Sequence, residues 1–362
     1  MDVKTDRLSR LKNITGILLA WYADNKRPLP WRDPIDPYHT WISEIMLQQT
    51  RIDVVTDYYH RFLKQFPDIP TLASASEDAL LKAWEGLGYY NRVRNIGKAA
   101  RMIMKEYGGR FPETKKELMK LPGIGEYTAA AISSIVFGEA APSVDGNVLR
   151  VTARLLNDAR DVLMPATRRD VTSMLAGVIP AECPGDFNQA LMELGETICL
   201  PETGADCAHC PCRSECQAFA EGTVTDLPVR MIRTSKKTEH FTVFIIESPD
   251  GFVAVRKRPA SGLLAGMFEF PNTEGHLTLE QAAKWLEELG MTFSAIEALP
   301  DAQHVFTHKK WLMHPYRLTV SKKEDEPFMF VHPSLLETTY SMPSAFARFK
   351  PYLEGENHLA EN

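Results

Sequence analysis

The amino-acid sequence predicts two domains, the first all-α and the second α/β, and three observations carry that prediction. Apolar residues recur at helical spacing from the N-terminus to about residue 217. From residue 239, short apolar runs flank turn residues, as in strands joined by hairpins. Between these regions, Gln217 to Glu239 carries Pro228 and mixed charge (Arg230, Arg233, Lys236, Lys237), the composition of a linker. The boundaries read as a domain over 1–220, a linker over 221–238, a second domain over 239–353 and an acidic tail over 354–362. With 362 residues, 44% of them hydrophobic, both domains have enough apolar side chains for a core.

Charge and compartment narrow the function. A net charge of −6 gives the molecule no overall attraction for polyanions, so any nucleic-acid face is local. No signal peptide opens the chain, and the apolar run over 14–22 is too short to span a bilayer. The expectation is a soluble intracellular protein, cytoplasmic in a bacterium, without a membrane partner. In that compartment the six cysteines are not disulfides. The tail holds Glu354, Glu356 and Glu361 and no Lys or Arg, the composition of a disordered end.

Residues 5–25 place Leu8, Leu11, Ile14, Leu18 and Trp21 at helical spacing. The segment Arg27-Pro28-Leu29-Pro30-Trp31-Arg32-Asp33-Pro34 ends that helix. Thr40 reads as the cap of the next, which carries Trp41, Ile42, Glu44, Ile45, Met46 and Leu47. Glu44 stands alone among apolar residues. Buried, it would keep its proton toward neutral pH; on a solvated edge it would be an ordinary helical glutamate. Gln48-Gln49-Thr50 breaks the pattern before a helix from Ile52 to Phe66. Two adjacent glutamines serve equally to turn the chain or to enter a base stack.

Gly86-Leu87-Gly88-Tyr89-Tyr90 puts two aromatics on a loop ahead of a basic stretch. Residues 91–120 hold nine Lys and Arg against three Glu, a face suited to phosphates or a merely solvated one. Leu121-Pro122-Gly123-Ile124-Gly125 then turns into an alanine-rich run over 128–137. Glycines let backbone approach a ligand, and N–H groups at a helix start suit a phosphate. A bare helix corner explains this turn as well. Ser143-Val144-Asp145-Gly146-Asn147 begins another helix with Asp145 near its N-cap.

Cys199, Cys207, Cys210 and Cys216 fall within eighteen residues (199–216), with Cys212 among them and Cys183 upstream. Four thiols so close in an intracellular chain mark a metal site, and the spacing leaves zinc and an iron–sulfur cluster open. Cys212 follows Cys210 too closely for an easy chelate, so Cys216 is the preferred fourth ligand. Cys183 reads as a loop thiol.

Together, Trp41 to Thr50, Gly86 to Tyr90, the Pro-Gly-x-Gly turn and Val144-Asp145-Gly146-Asn147 resemble the MutY-type adenine DNA glycosylases of the helix-hairpin-helix superfamily. The resemblance spans residues 5–220 and, more loosely, runs to about 350. It implies an all-α helix-hairpin-helix glycosylase domain, endonuclease III-like, with an iron–sulfur loop, followed by an α/β Nudix-like domain. It implies base excision repair by a monomer. It implies that adenine mispaired with 8-oxoguanine, or with guanine, in double-stranded DNA is removed by hydrolysis of its N-glycosidic bond.

Residue by residue, Glu44 and Asp145 are the implied acid and anion, with Tyr127 and Asn147 in their network. Arg27, Trp31, Arg32, Leu47 and Gln189 (in Phe187-Asn188-Gln189) are the implied adenine pocket. Gln49, Thr50, Leu87 and Tyr89 are implied around the opposing base, and Gly123 and Gly125 at the DNA backbone. The implied cofactor is one four-iron, four-sulfur cluster on Cys199, Cys207, Cys210 and Cys216, in preference to zinc. This chain departs from the family spacing by one extra residue between the first two cysteines. Tyr127 stands where endonuclease III-like enzymes carry a Schiff-base lysine, so base removal without efficient strand cleavage is implied.

In the second domain, Phe241 to Ile246 and Phe252 to Arg256 flank Pro249-Asp250-Gly251 as a hairpin. A helix near 278–289 and strands near 303–308 and 311–320 follow. This half resembles the Nudix-type domain of the same glycosylases. Ala283 and Lys284 replace the arginine and first magnesium-holding glutamate of a Nudix hydrolase, so lesion recognition is implied rather than hydrolysis. The implied reader is Phe306-Thr307-His308, similar to the family's Phe-Ser-His loop with threonine for serine. Three functions compete: a bifunctional endonuclease III-like glycosylase, a nucleotide pyrophosphatase, and a non-catalytic DNA-binding iron–sulfur protein.

Overall fold

Proline and glycine cut the N-terminal part of the sequence into short helices. The computed structural model describes residues 3–231, 236–323 and 326–353, so the acidic tail and Arg233 lie outside the described residues. The helices are α1 (Val3–Asn25), α2 (Pro37–Leu47), α3 (Ile52–Gln65), α4 (Ile69–Ser74), α5 (Glu77–Ala83) and α6 (Asn91–Glu106). Then come α7 (Lys115–Leu118), α8 (Glu126–Phe137), α9 (Gly146–Leu155), α10 (Pro165–Ala176), α11 (Pro184–Thr197) and α12 (Gln217–Glu221). Contacts group the chain into two units, Met1–Ser74 with Asn95–Ile232, and Ala75–Arg94 with Arg233–Asn362.

In the first unit, Leu11, Ile14, Leu18 and Tyr22 of α1 pack with Val148 and Val151 of α9 and with Phe187, Leu191 and Leu194 of α11. The predicted stripe thus closes on Tyr22, while Trp21 is only half-buried. α2 starts a turn earlier than Thr40. Asp36 accepts from the His39 N–H and Pro37 fills the first turn, a stronger start signal than a lone threonine. Thr40 is instead buried within the helix, its hydroxyl without a partner.

The predicted turn joins α7 to α8. Gly123 has φ 78°, and a Cβ there would sit 2.6 Å from the Asn95 Cβ, so only glycine fits. Gly125 is the N-cap of α8, and Asp145 caps α9, its Oδ1 accepting from the Val148 N–H at 2.7 Å.

The second unit is built on a sheet of β1 (Lys237–Glu247), β2 (Val253–Lys257), β3 (Phe268–Glu269), β4 (Asn272–Glu274), β5 (Phe293–Ala298), β6 (Ala302–Val305), β7 (Lys309–Val320) and β8 (Met329–Val331). Strand order is β3-β2-β1-β7-β5, with β4 on β1, β6 on β7 and β8 on β2. β1 and β2 form the expected hairpin, pairing Glu247 with Val253. At the centre β1 runs parallel to β7 from Lys237↔Lys309 to Glu247↔Thr319.

Side chains of a strand alternate between faces. Val243 and Ile245 enter a core with Trp311, Met313 and Phe346, while Phe244 and Ile246 enter another with Ala282 and Leu286 of α13 (Leu279–Glu288). Because both faces are covered, the strand reads as one apolar run. The strand expected over 303–308 is shorter. It ends at Val305, and Phe306-Thr307-His308 forms the turn into β7, closed by the Phe306 N–H on the Lys309 carbonyl at 2.8 Å.

Residues 75–94 are fastened within this unit. Lys82 Nζ donates to the Leu336 carbonyl at 2.9 Å, Glu85 accepts from the Met342 N–H at 3.0 Å, and Arg94 Nη2 donates to the Ala265 carbonyl.

Candidate active site

An open cleft in the first unit is lined by the end of α2, the turn before α8, the cap of α9 and the face of α11. Glu44, Leu47, Gln49, Thr50, Gly123, Gly125, Tyr127, Asp145 and Asn147 all border it. Glu44 and Asp145, about a hundred residues apart in sequence, therefore meet in one cavity. Gly123 and Gly125 are exposed at its rim.

Glu44 is 7% exposed, its Oε2 has no hydrogen-bond partner, and its pKa is pushed up to about 7. Loss of solvation is the main cause; the Tyr127 hydroxyl favours the ionised form and opposes it, and the Asp145 charge adds to it. The pKa of Asp145 is also raised by burial, against the N–H groups of Val148 and Asn147, which stabilise the anion. Burial drives the Tyr127 phenol well above its ordinary range, and its hydroxyl contacts Met192 Sδ at 3.3 Å. Tyr127 thus stays neutral.

Beside the cleft lies a smaller cavity bordered by Trp31, Arg32, Leu47, Gln189 and Glu44. Arg32 Nε donates to Gln189 Oε1 at 3.1 Å, which aims the amide nitrogen elsewhere, and Arg32 Nη2 donates to Glu193 Oε2 at 2.7 Å. Arg27 does not border this cavity. It is bonded instead to Glu193 and, at 2.7 Å, to Glu196 Oε2. Glu193 is almost wholly buried. Desolvation would raise its pKa, but bonds from both arginines outweigh that and hold it below the ordinary carboxylate value. Glu193, Glu196 and Met192 escape a reading of motifs. Their signal is helical spacing, since they follow Gln189 by four, seven and three residues on α11.

Cys199, Cys207, Cys210 and Cys216 border a single cavity together with Arg154 and Arg213. Fully buried Cys212 packs into the helical core and does not border it. Among the described residues, no three His, Cys, Asp or Glu converge on a single ion. Arg154, itself buried, donates from Nη1 to Cys199 Sγ at 3.4 Å and to the Leu200 carbonyl at 2.7 Å. Arg150 joins this loop to the cleft, donating to the Cys199 carbonyl at 3.0 Å and to Asn147 Oδ1 at 3.0 Å.

In the second unit, Tyr89 and Thr307 are exposed and their hydroxyls are 2.7 Å apart. His308 is exposed, Phe306 packs edge-on to Trp311, and Leu87 is buried. Arg92 belongs to the basic stretch but is turned inward. It donates to the Leu87 carbonyl at 3.0 Å and lies over Trp84 and Tyr89, which props the loop.

The chain matches two family descriptions, the HhH-GPD superfamily base excision DNA repair protein over residues 42–174 and a NUDIX domain over 242–350. It is 33% identical to the adenine DNA glycosylase of Mus musculus, over 84% of this chain and 70% of that protein. It is 32% identical to that of Buchnera aphidicola subsp. Baizongia pistaciae, over 84% and 86%. With that of Arabidopsis thaliana it shares 38% identity over 80% of this chain, and it spans only 54% of the plant protein. Among solved structures, a thermostable thymine-DNA glycosylase matches with TM-score 0.53 and 27% identity, over 59% of this chain and 98% of that one. An endonuclease III–DNA covalent intermediate, at TM-score 0.52 and 24% identity over 59% of this chain and 98% of that one, shares the fold.

Proposed function

This chain belongs to the adenine DNA glycosylase family, and we propose that it removes adenine mispaired with 8-oxoguanine, or with guanine, from double-stranded DNA. The observation that carries the reading is one cleft holding two carboxylates in different environments, a buried Glu44 with a pKa near 7 and a helix-capping Asp145.

The extruded nucleoside takes its base past Glu44 toward Gln189 and leaves its sugar beside Asp145. Extrusion costs roughly a few kcal/mol of stacking and is easiest at a mispair. Protonated Glu44 donates to a ring nitrogen of the adenine, N7, and the electrons of the N-glycosidic bond leave with the base. Asp145, as the anion, faces the positive charge that develops on the sugar. Glu44, now a carboxylate, accepts a proton from the water that adds to the sugar. Neutral Tyr127 holds both carboxylates in place, and Asn147, pinned by Arg150, fixes the start of α9 beside them. Tyr127 has no amine for a Schiff base, so the strand is left uncut.

Gln49 with Thr50, and Tyr89 with Leu87 behind it, would fill the vacated stack, while Phe306, Thr307 and His308 read the opposing base. Gly123 and Gly125 present backbone to a phosphate. Cys199, Cys207, Cys210 and Cys216 would hold a four-iron, four-sulfur cluster. A cavity ringed by thiols, with the Arg154 guanidinium bonded to one of them, suits an anionic cluster larger than one ion. When bound, the cluster supplies metal–sulfur cross-links that stiffen the loop carrying Arg213.

No helix among the described residues is long and apolar enough to cross a membrane; the proposed enzyme acts as a monomer on intracellular DNA, in a bacterium at the nucleoid. The test is a single-turnover assay on duplexes with adenine opposite 8-oxoguanine, followed by alkali to reveal abasic sites. Strand breaks dependent on alkali support the reading. Breaks without alkali would point to a bifunctional enzyme, and intact strands to a binding protein.

A further inference from the structure

Four side chains border both the open cleft and the smaller cavity: Glu44, Leu47, Met192 and Glu196. They form the boundary that the two cavities share. Two are apolar and suit the faces of a flat ring. The other two are carboxylates, and they differ in chemistry. Glu44 is buried with an unpartnered oxygen, whereas Glu196 is about one-third exposed and receives Arg27 Nη2 on Oε2 at 2.7 Å. Gln189, deeper in, has its carbonyl oxygen engaged by Arg32 Nε, so its amide nitrogen is the group left to present.

We propose that Glu196 is a specificity-determining residue that accepts a hydrogen bond from the exocyclic amine of the departing base. The inference rests on the adenine glycosylase reading above. An ionised carboxylate has about four lone-pair positions, of which Arg27 uses one. Adenine offers a ring acceptor and an amine donor side by side on one edge. Glu44 as donor matches the first and Glu196 as acceptor the second. A purine with a carbonyl at that position would set oxygen against carboxylate. A site built to bond a polar substrate group discriminates most strongly through the bond that goes unmade. Arg27 acquires a role too, since it holds Glu196 at the throat while its other bonds anchor it on Glu193.

The experiment compares single-turnover excision of adenine and of unsubstituted purine, both opposite 8-oxoguanine, by the wild-type chain, Glu196→Ala and Glu196→Gln. Purine keeps N7 but lacks the amine. Anything Glu196 does through Glu44 or through folding therefore changes both substrates alike. Loss of a hydrogen bond to a charged acceptor predicts that Glu196→Ala slows adenine about ten- to a hundredfold. Purine excision should stay within about twofold of the wild-type rate, and Glu196→Gln should fall between. An equal fall on both substrates, or no fall on either, overturns the proposal. A wild-type chain that excises purine but not adenine overturns it as well, and one inert on both sinks the parent reading first.

Discussion

The hydroxyl of Tyr89 lies 2.7 Å from that of Thr307, across 218 residues of sequence. Each can donate to the other, so a base that bonds Thr307 competes with Tyr89 or joins the pair. Thr307→Ala is expected to lower the ratio of excision opposite 8-oxoguanine to excision opposite guanine by about two- to tenfold, the worth of one net hydrogen bond. Tyr89→Phe should change it less, since the Thr307 hydroxyl survives. An unaltered ratio in the alanine variant removes Thr307 as the reader.

Glu44 ties pH to both stability and rate. Its folded pKa of about 7 exceeds the ordinary 4.5, so between those values the native state keeps a proton that the unfolded chain releases. Stability therefore declines as pH rises from 4.5 to about 7 and then levels off. Glu44→Gln relieves the penalty and should stabilise the chain at about pH 8, by on the order of 3 kcal/mol at most, with little gain at about pH 4. Thermal unfolding at the two pH values checks this. In the wild type, excision should fall up to about tenfold per pH unit above neutrality as the proton is lost, and the glutamine variant should bind DNA yet excise nothing. A rate that stays flat well into alkali would mean another proton source.

At the turn before α8, Gly123→Ala combines a positive φ with a Cβ 2.6 Å from the Asn95 Cβ. The expected cost is about 1–3 kcal/mol. Pairing it with Asn95→Gly should recover the steric part and leave the backbone strain. An unchanged melting temperature in the single variant would show that the turn yields freely.

The cysteine cavity predicts a division among thiols. Cys216→Ser should lose iron and the visible absorption of a cluster, whereas Cys212→Ser should keep both, because Cys212 is buried in the helical core and does not line the cavity. Metal analysis and absorbance decide it, and zinc in place of iron would correct the cofactor.

Tyr127 borders the same cleft as Asp145. A lysine there places an amine beside the sugar, so Tyr127→Lys should yield an adduct with abasic-site DNA trapped by borohydride. Absence of a trapped species, with abasic sites still formed, would put residue 127 out of reach of the sugar carbon.

Much of this architecture was legible because its signals are local. Asp145 at the start of α9, Thr278 capping α13 and the β1–β2 hairpin are each decided within a few residues. Thr40 misled because the stronger Asp36-Pro37 start lies just upstream. Arg92 is basic in sequence, yet two backbone carbonyls and two rings hold it inside. Glu193 and Glu196 were hidden for a different reason. Their meaning depends on arginines more than 150 residues earlier, which no motif at α11 announces.

The residues from Ala75 to Arg94 have partners at Ala265, Leu336 and Met342, all synthesised far later. On a ribosome this insert emerges first, and its Lys82, Glu85 and Arg94 wait for those partners until the C-terminal part arrives. A nonsense mutation in the linker would therefore do more than remove the sheet: it would leave this insert in the surviving fragment without the backbone groups it fastens to.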